Sequence, residues 1–109
     1  MATVNHVRKL ALALPGVEEK DHHGFPSFRV KGKIFCTLPD SMHANVMLRP
    51  DEATSAASLA GHAVEELWWG KKLSGVKVTL KSADVALLGA LLADAWEDKA
   101  PAKLKRKSS

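Results

Sequence analysis

Val4, Val7, Leu10, Ala11 and Leu14 recur at intervals of three and four residues, the spacing of one face of an α-helix. Pro15-Gly16 closes that helix at about residue 14, because proline cannot continue the ladder and glycine accepts the cap geometry. Glu18 to His23 is polar and reads as extended chain. From Phe28 to Leu38 the period changes to two. Phe28 and Val30 alternate with Arg29 and Lys31, Gly32 supplies a turn, and Ile34, Cys36 and Leu38 alternate with Lys33, Phe35 and Thr37. Pro39-Asp40-Ser41 reads as a loop, and His43 to Leu48 alternates again. Arg49-Pro50-Asp51-Glu52 has the proline and acids of a helix start, predicting a short helix over about 51–60 that ends at Gly61. Val64 to Trp69 reads as a strand, Gly70 to Gly75 as a flexible turn, and Val76 to Lys81 as a clearer strand. Ser82 is the predicted cap of a last helix whose apolar stripe is Leu88, Leu91, Leu92, Ala95 and Trp96 and which stops at Ala100-Pro101.

Helix, four or five consecutive strands with a short helix inserted, then helix: this order predicts an α+β domain. An antiparallel sheet would be covered on one face by the N- and C-terminal helices, with the other face open to solvent. The length of 109 residues suits one domain, taken as residues 1–102, followed by a basic tail over 103–109 expected to be disordered. The tail changes the meaning of the charge. Of the net +4, all resides in Lys103, Lys105, Arg106 and Lys107; residues 1–102 carry equal numbers of acids and bases. Attraction of the body to a polyanion must therefore come from how its charges are placed. The apolar stretch after Arg8 and Lys9 is too short for a secretory signal, and no run approaches the ~18 residues of a membrane span, so a cytoplasmic protein with no membrane partner is expected.

Several segments resemble a known family. Leu12-Ala-Leu-Pro-Gly-Val17, then His23-Gly-Phe-Pro-Ser-Phe-Arg-Val30 running into Gly32-Lys-Ile-Phe35, look like the N-terminal half of the MmcQ/YjbR-like proteins. Trp69-Gly70, Val76-Lys-Val-Thr-Leu80 and Leu91-Leu-Ala-Asp-Ala-Trp96 before Ala100-Pro-Ala-Lys-Leu104 are similar to its C-terminal half. The resemblance spans about residues 7–104. It implies a frataxin-like two-layer fold. It also implies a family without an established enzymatic activity, described as DNA-binding because its sheet resembles a "double-wing" module. Members often place Gly-Trp before the last strand, where this chain has Leu73-Ser-Gly75.

The alternation itself nominates a surface. If the aliphatic positions face the helices, the opposite face holds Arg29, Lys31, Lys33, Phe35, Thr37, Asn45, Met47, Arg49, Lys77, Thr79 and Lys81, with Lys71 and Lys72 in the adjoining turn. That set contains bases and no acid. Arg29, Lys31, Lys33, Lys71, Lys72, Lys77 and Lys81 would neutralise phosphates, and Phe35 would stack on a base. The plainer reading is that strand lysines keep an open face soluble and guard its edges. Glu65 and Glu66 interrupt the pattern, since one of them must point outward.

Other chemistry is sparse. His22 and His23 would point to opposite sides of an extended segment, and His6, His43, His62 and Cys36 lack ligand spacing, so neither a metal nor another cofactor is expected. Cys36 lies on the apolar side, and no nucleophile elbow, phosphate loop or convergent acid pair stands out, so no catalytic residue is nominated and a non-enzymatic binding module is expected. One of Trp68 and Trp69 is expected in the core and the other at a rim. That edge supports an alternative: a domain that binds a protein or small ligand, as a monomer or a homodimer, with no nucleic-acid role.

Overall fold

A computed structural model describes residues 2–102; the basic segment 103–109 lies outside the described residues. The first helix, α1 (Val4–Leu12), is capped by Thr3, whose hydroxyl accepts the His6 N–H at 3.3 Å while the His6 ring accepts the Thr3 N–H at 3.0 Å. Strands β1 (Val17–His22), β2 (Phe25–Val30), β3 (Lys33–Thr37) and β4 (His43–Met47) follow, then α2 (Pro50–Leu59), β5 (Val64–Trp69), β6 (Lys72–Thr79), a 3-10 turn at Leu80–Ser82, and α3 (Val85–Lys99). The strands form one antiparallel sheet in the order β1-β2-β3-β4-β6-β5. Phe28, Val30, Val46, Val76 and Val78 from the sheet pack with Val7, Ala11, Leu88 and Leu92 from α1 and α3, and Ala53 of α2 joins the same cluster. The α+β, two-layer architecture predicted by the alternation is therefore present, with all three helices contributing to the core. The Trp96 indole N–H donates to the Pro15 carbonyl at 2.9 Å and fastens α3 to the end of α1.

The departures from the sequence pattern have local causes. The polar segment 17–22 is a full edge strand, paired along its length with β2. Ser82 is not the cap of the last helix. Residues 80–82 wind into the 3-10 turn, so the helix begins later and Asp84 accepts the Leu87 N–H at 2.7 Å. The turn read over Gly70–Gly75 shrinks to Gly70-Lys71, and Lys72–Gly75 belongs to β6. Gly75 is needed inside the sheet rather than in a turn: a Cβ there would sit 2.1 Å from the Val46 carbonyl oxygen.

A bulge reorders the central hairpin. Phe28 pairs with Cys36 but Arg29 pairs with Ile34, leaving Phe35 as the extra residue. Phe35 and Cys36 are both fully buried, in the core. Ile34 pairs with Arg29 and so lies on the open face, the reverse of simple alternation. Two hairpins emerge at one end of the sheet. The β2–β3 turn is Lys31-Gly32, both at positive φ (50° and 81°), and the β5–β6 turn is Gly70-Lys71. Between them β4 runs out through Leu48-Arg49 into α2. The C-terminus of α3 reaches the same end, where Arg49 Nε lies 3.5 Å from Asp98 Oδ1.

Candidate nucleic-acid interface

The open face is not the acid-free surface that the alternation suggests, because the two edge strands add carboxylates to it. Glu18 of β1 is the cross-strand partner of Arg29, and Glu65 of β5 is the cross-strand partner of Lys77. Opposite charges in register attract and neutralise the face locally. Arg29 is further occupied: its Nε donates to the Ser27 hydroxyl at 3.2 Å, and that hydroxyl donates to the Lys20 carbonyl at 2.8 Å. Glu66 points the other way, toward α2, where its carboxylate accepts from the Thr54 hydroxyl at 3.1 Å and from the Trp68 indole N–H at 3.2 Å.

Two further nominations need correction. Phe35 has no exposed surface and cannot stack on a base. Lys81 sits in the 3-10 turn beyond the far end of β6, away from the hairpin turns. Lys31 and Lys33 stand on either side of Gly32, as the sequence places them, Lys31 in the β2–β3 turn and Lys33 opening β3. The structure gathers Lys31 and Lys33 at one hairpin tip and Lys71 and Lys72 at the other, at the same end of the sheet. Two cations that the sequence reading did not nominate as binding residues join them there. Arg49 opens α2, and Lys99 closes α3.

From between the tips a groove of about 770 Å³ runs across the open face as far as Thr37 and His22. Ile34, Met47 and Leu73 give it apolar walls, Trp69 forms one side, and Lys72, Arg49 and Lys99 stand among its lining residues. Met47 is almost fully buried yet outside the helix-side core cluster, which places it on the floor of the open face. Trp68 and Trp69 are 51% and 58% exposed, so neither is a core residue. The register shift at Leu67/Trp68 and the position at the end of an edge strand carry both beyond the helices.

A carboxyl pair borders the groove as well. Glu52 and Asp98 meet beneath Arg49, with Arg49 Nη2 3.5 Å from Glu52 Oε2. The Arg49 N–H also donates to Glu52 Oε1 at 3.2 Å. Burial and the neighbouring Glu52 carboxylate push Asp98 up to about 6. Burial also raises Glu52, but its hydrogen bonds with Asp98 and Arg49 outweigh that and hold it below its ordinary value. Asp98 Oδ2 is buried without a hydrogen-bond partner. Nothing in the sequence flags this pair, because the two residues meet only through the packing of α2 against α3.

The remaining chemistry stays separate. His23 takes a left-handed conformation (φ 54°) in the β1–β2 turn, which brings its ring to 4.5 Å from that of His22, centroid to centroid, rather than to the opposite side. No group of three or more His, Cys, Asp or Glu side chains converges on a metal position among the described residues. Cys36 is fully buried, and burial pushes its thiol well above its ordinary value, which suppresses the thiolate. No described helix is long and apolar enough to cross a membrane.

The YjbR family model matches residues 12–98, from the end of α1 to the penultimate residue of α3. The chain belongs to the YjbR family. A solved structure with the same fold is the Deinococcus radiodurans protein DR2400, with a DUF419 domain. It superposes with a TM-score of 0.76 at 21% identity, covering 99% of this chain and 88% of that one. At that identity the likeness concerns the fold alone. A search of curated proteins finds no match. The matched segment of this YjbR chain includes both hairpin tips, Arg49, Trp69 and Asp98, so every residue lining the groove except Lys99 lies within it.

Proposed function

We propose that this YjbR chain is a binding module for nucleic acid that holds phosphates at the tips of its two hairpins. The observation that carries the reading is the gathering of Lys31, Lys33, Lys71 and Lys72 at one end of the sheet, on either side of Arg49, while Arg29 and Lys77 of the open face stand in register opposite Glu18 and Glu65. Three strand spacings separate the hairpin axes, about 14 Å at ~4.8 Å per strand. That compares with a major groove about 12 Å wide, so the two tips suit the phosphates bordering it. Contacts of this kind position a protein on the backbone and carry little sequence information. The sequence beyond Ala102 carries four further bases, and these must be separated from the folded site in any test.

The experiment is fluorescence anisotropy with labelled duplex and single-stranded DNA at two salt concentrations. It uses the full chain with Lys103, Lys105, Arg106 and Lys107 replaced by Gln. Four phosphates neutralised at the tips give a log–log salt slope of about −3.6 on duplex, roughly a hundredfold loss for a fourfold rise in salt. The double variants K31E/K33E and K71E/K72E should each weaken binding and flatten that slope by about 2. Unchanged affinity in both double variants would refute the hairpin-tip assignment.

A further inference from the structure

We infer that the groove between the hairpins receives unpaired bases of a single strand, stacked against Trp69, while the strand's phosphates follow the cations at its rim. The inference rests on the nucleic-acid reading above and deepens it by naming the form of nucleic acid. Trp69 is more than half exposed, forms one wall of the groove, and has no hydrogen-bond partner for its indole among the described residues. Its face is available to a planar partner, and aromatic stacking is indifferent to base identity. Ile34 and Met47 line the groove with apolar surface that water does not satisfy.

Charge selects the occupant. Arg49, Lys72 and Lys99 line the groove, and Asp98, the one acid among its lining residues, is held by Arg49. An apolar slot with cations around it complements a molecule that alternates planar apolar faces with anions, which is the pattern of a nucleic-acid strand. Duplex hides those faces within its stack and presents only edges and phosphates. The face of the exposed Trp69 ring can stack only on a base that has left the duplex stack. The volume of about 770 Å³ falls within the range of pockets that bury most of a small ligand, ample for a base.

The test uses the full chain with Lys103, Lys105, Arg106 and Lys107 replaced by Gln, and compares two labelled strands of equal phosphate number: about twelve thymidines, and the same backbone made of abasic residues, a length within the reach of known single-strand sites. The thymidine strand should bind at least roughly fivefold more tightly, the low end for one stacked base. Trp69→Ala should bring it down to the abasic level while leaving abasic binding unchanged, which also shows that the variant is folded. Trp69→Phe should keep most of the difference. Equal affinity of both strands, with salt dependence intact, overturns the base slot and leaves hairpin-tip binding standing. Stronger displacement by a tryptophan-bearing acidic peptide than by unlabelled thymidine strand also overturns it and assigns the groove to a protein. Absence of salt-sensitive binding by either strand removes the nucleic-acid reading and this inference with it.

Discussion

Replacing Gly75 by alanine tests how tightly the middle of the sheet is closed. The added Cβ would lie 2.1 Å from the Val46 carbonyl oxygen, 2.9 Å from Met47 Cα and 3.0 Å from the Leu48 nitrogen. All three are backbone atoms, and a methyl group has no rotamer with which to escape, so β4 and β6 must separate locally. The strands pair from His43 opposite Thr79 to Met47 opposite Gly75, and the Leu48 N–H donates to the Ser74 carbonyl at 3.2 Å just beyond. Losing the last pair and that bond removes one or two backbone hydrogen bonds at about 1 kcal/mol each. Forcing extra volume between packed strands adds about 1–3 kcal/mol. The stiffer unfolded chain returns about 0.4–1 kcal/mol. The net loss is about 2–4 kcal/mol, a large share of the ~5–15 kcal/mol that holds a domain of this size together. In urea denaturation followed by tryptophan fluorescence, with a slope of about 1–3 kcal/mol/M, the midpoint should fall by at least about 0.7 M. A shift below about 0.3 M would show that the strands give way freely and would refute the close-approach argument.

Gly89 offers the opposite case. In the middle of α3 its added Cβ would meet only Leu10 side-chain carbons at 3.8 and 3.9 Å, ordinary contact, so Gly89→Ala should stabilise by about 0.5–1 kcal/mol and raise the melting temperature. Asp98 carries a pH signature. Its folded value of about 6 lies above its ordinary value, so the stability it lends is complete below about pH 4 and lost as pH rises through 6. Asp98→Asn should match the wild type at pH 4 and exceed it at pH 7.5 by about 1 kcal/mol after allowance for solvent screening, read from denaturation midpoints at both pH values; equal differences at both would remove the carboxyl-pair account. Cys36 should resist a thiol reagent such as dithionitrobenzoate in the native protein and react at once in urea, and fast native labelling would contradict its burial.

Much of the architecture was legible because burial on one face imposes its period on the chain. Val76 and Val78, Ala44 and Val46, and the Leu88–Leu92 stripe all face the core as their spacing predicts. What alternation cannot register is a bulge. One extra residue at Phe35 turned an apparent open-face aromatic into core and turned Ile34 outward. Gly75 carried an ambiguous signal, since glycine serves turns and close backbone approaches alike, and only the neighbouring strand decides between them. The site was half legible. The lysines of the two turns were nominated from the sequence, but as part of a face that β1 and β5 neutralise with Glu18 and Glu65. Lys99, the exposure of Trp69 and the Glu52–Asp98 pair depend on how α2 and α3 end against the hairpins, a long-range fact that no local pattern contains.

The strand order also dictates when this chain can fold. β4, α2 and β5 follow one another in sequence, yet β5 does not sit beside β4; the place between them belongs to β6. Until residues 72–79 have been made and inserted, β4 has a bare inner edge and β5 has no partner at all. Val46 then lacks Val76, Ala44 lacks Val78, and the helix that covers β3 and β4 has not yet appeared. On a ribosome adding about 5–20 residues each second, the stretch from the end of β4 at Met47 to the end of β6 at Thr79 takes about 2–6 seconds to make, and through that time the seam stays open. Such a topology favours late, all-at-once folding over stepwise growth, and it concentrates the hazard of wrong pairing in the interval before β6 arrives.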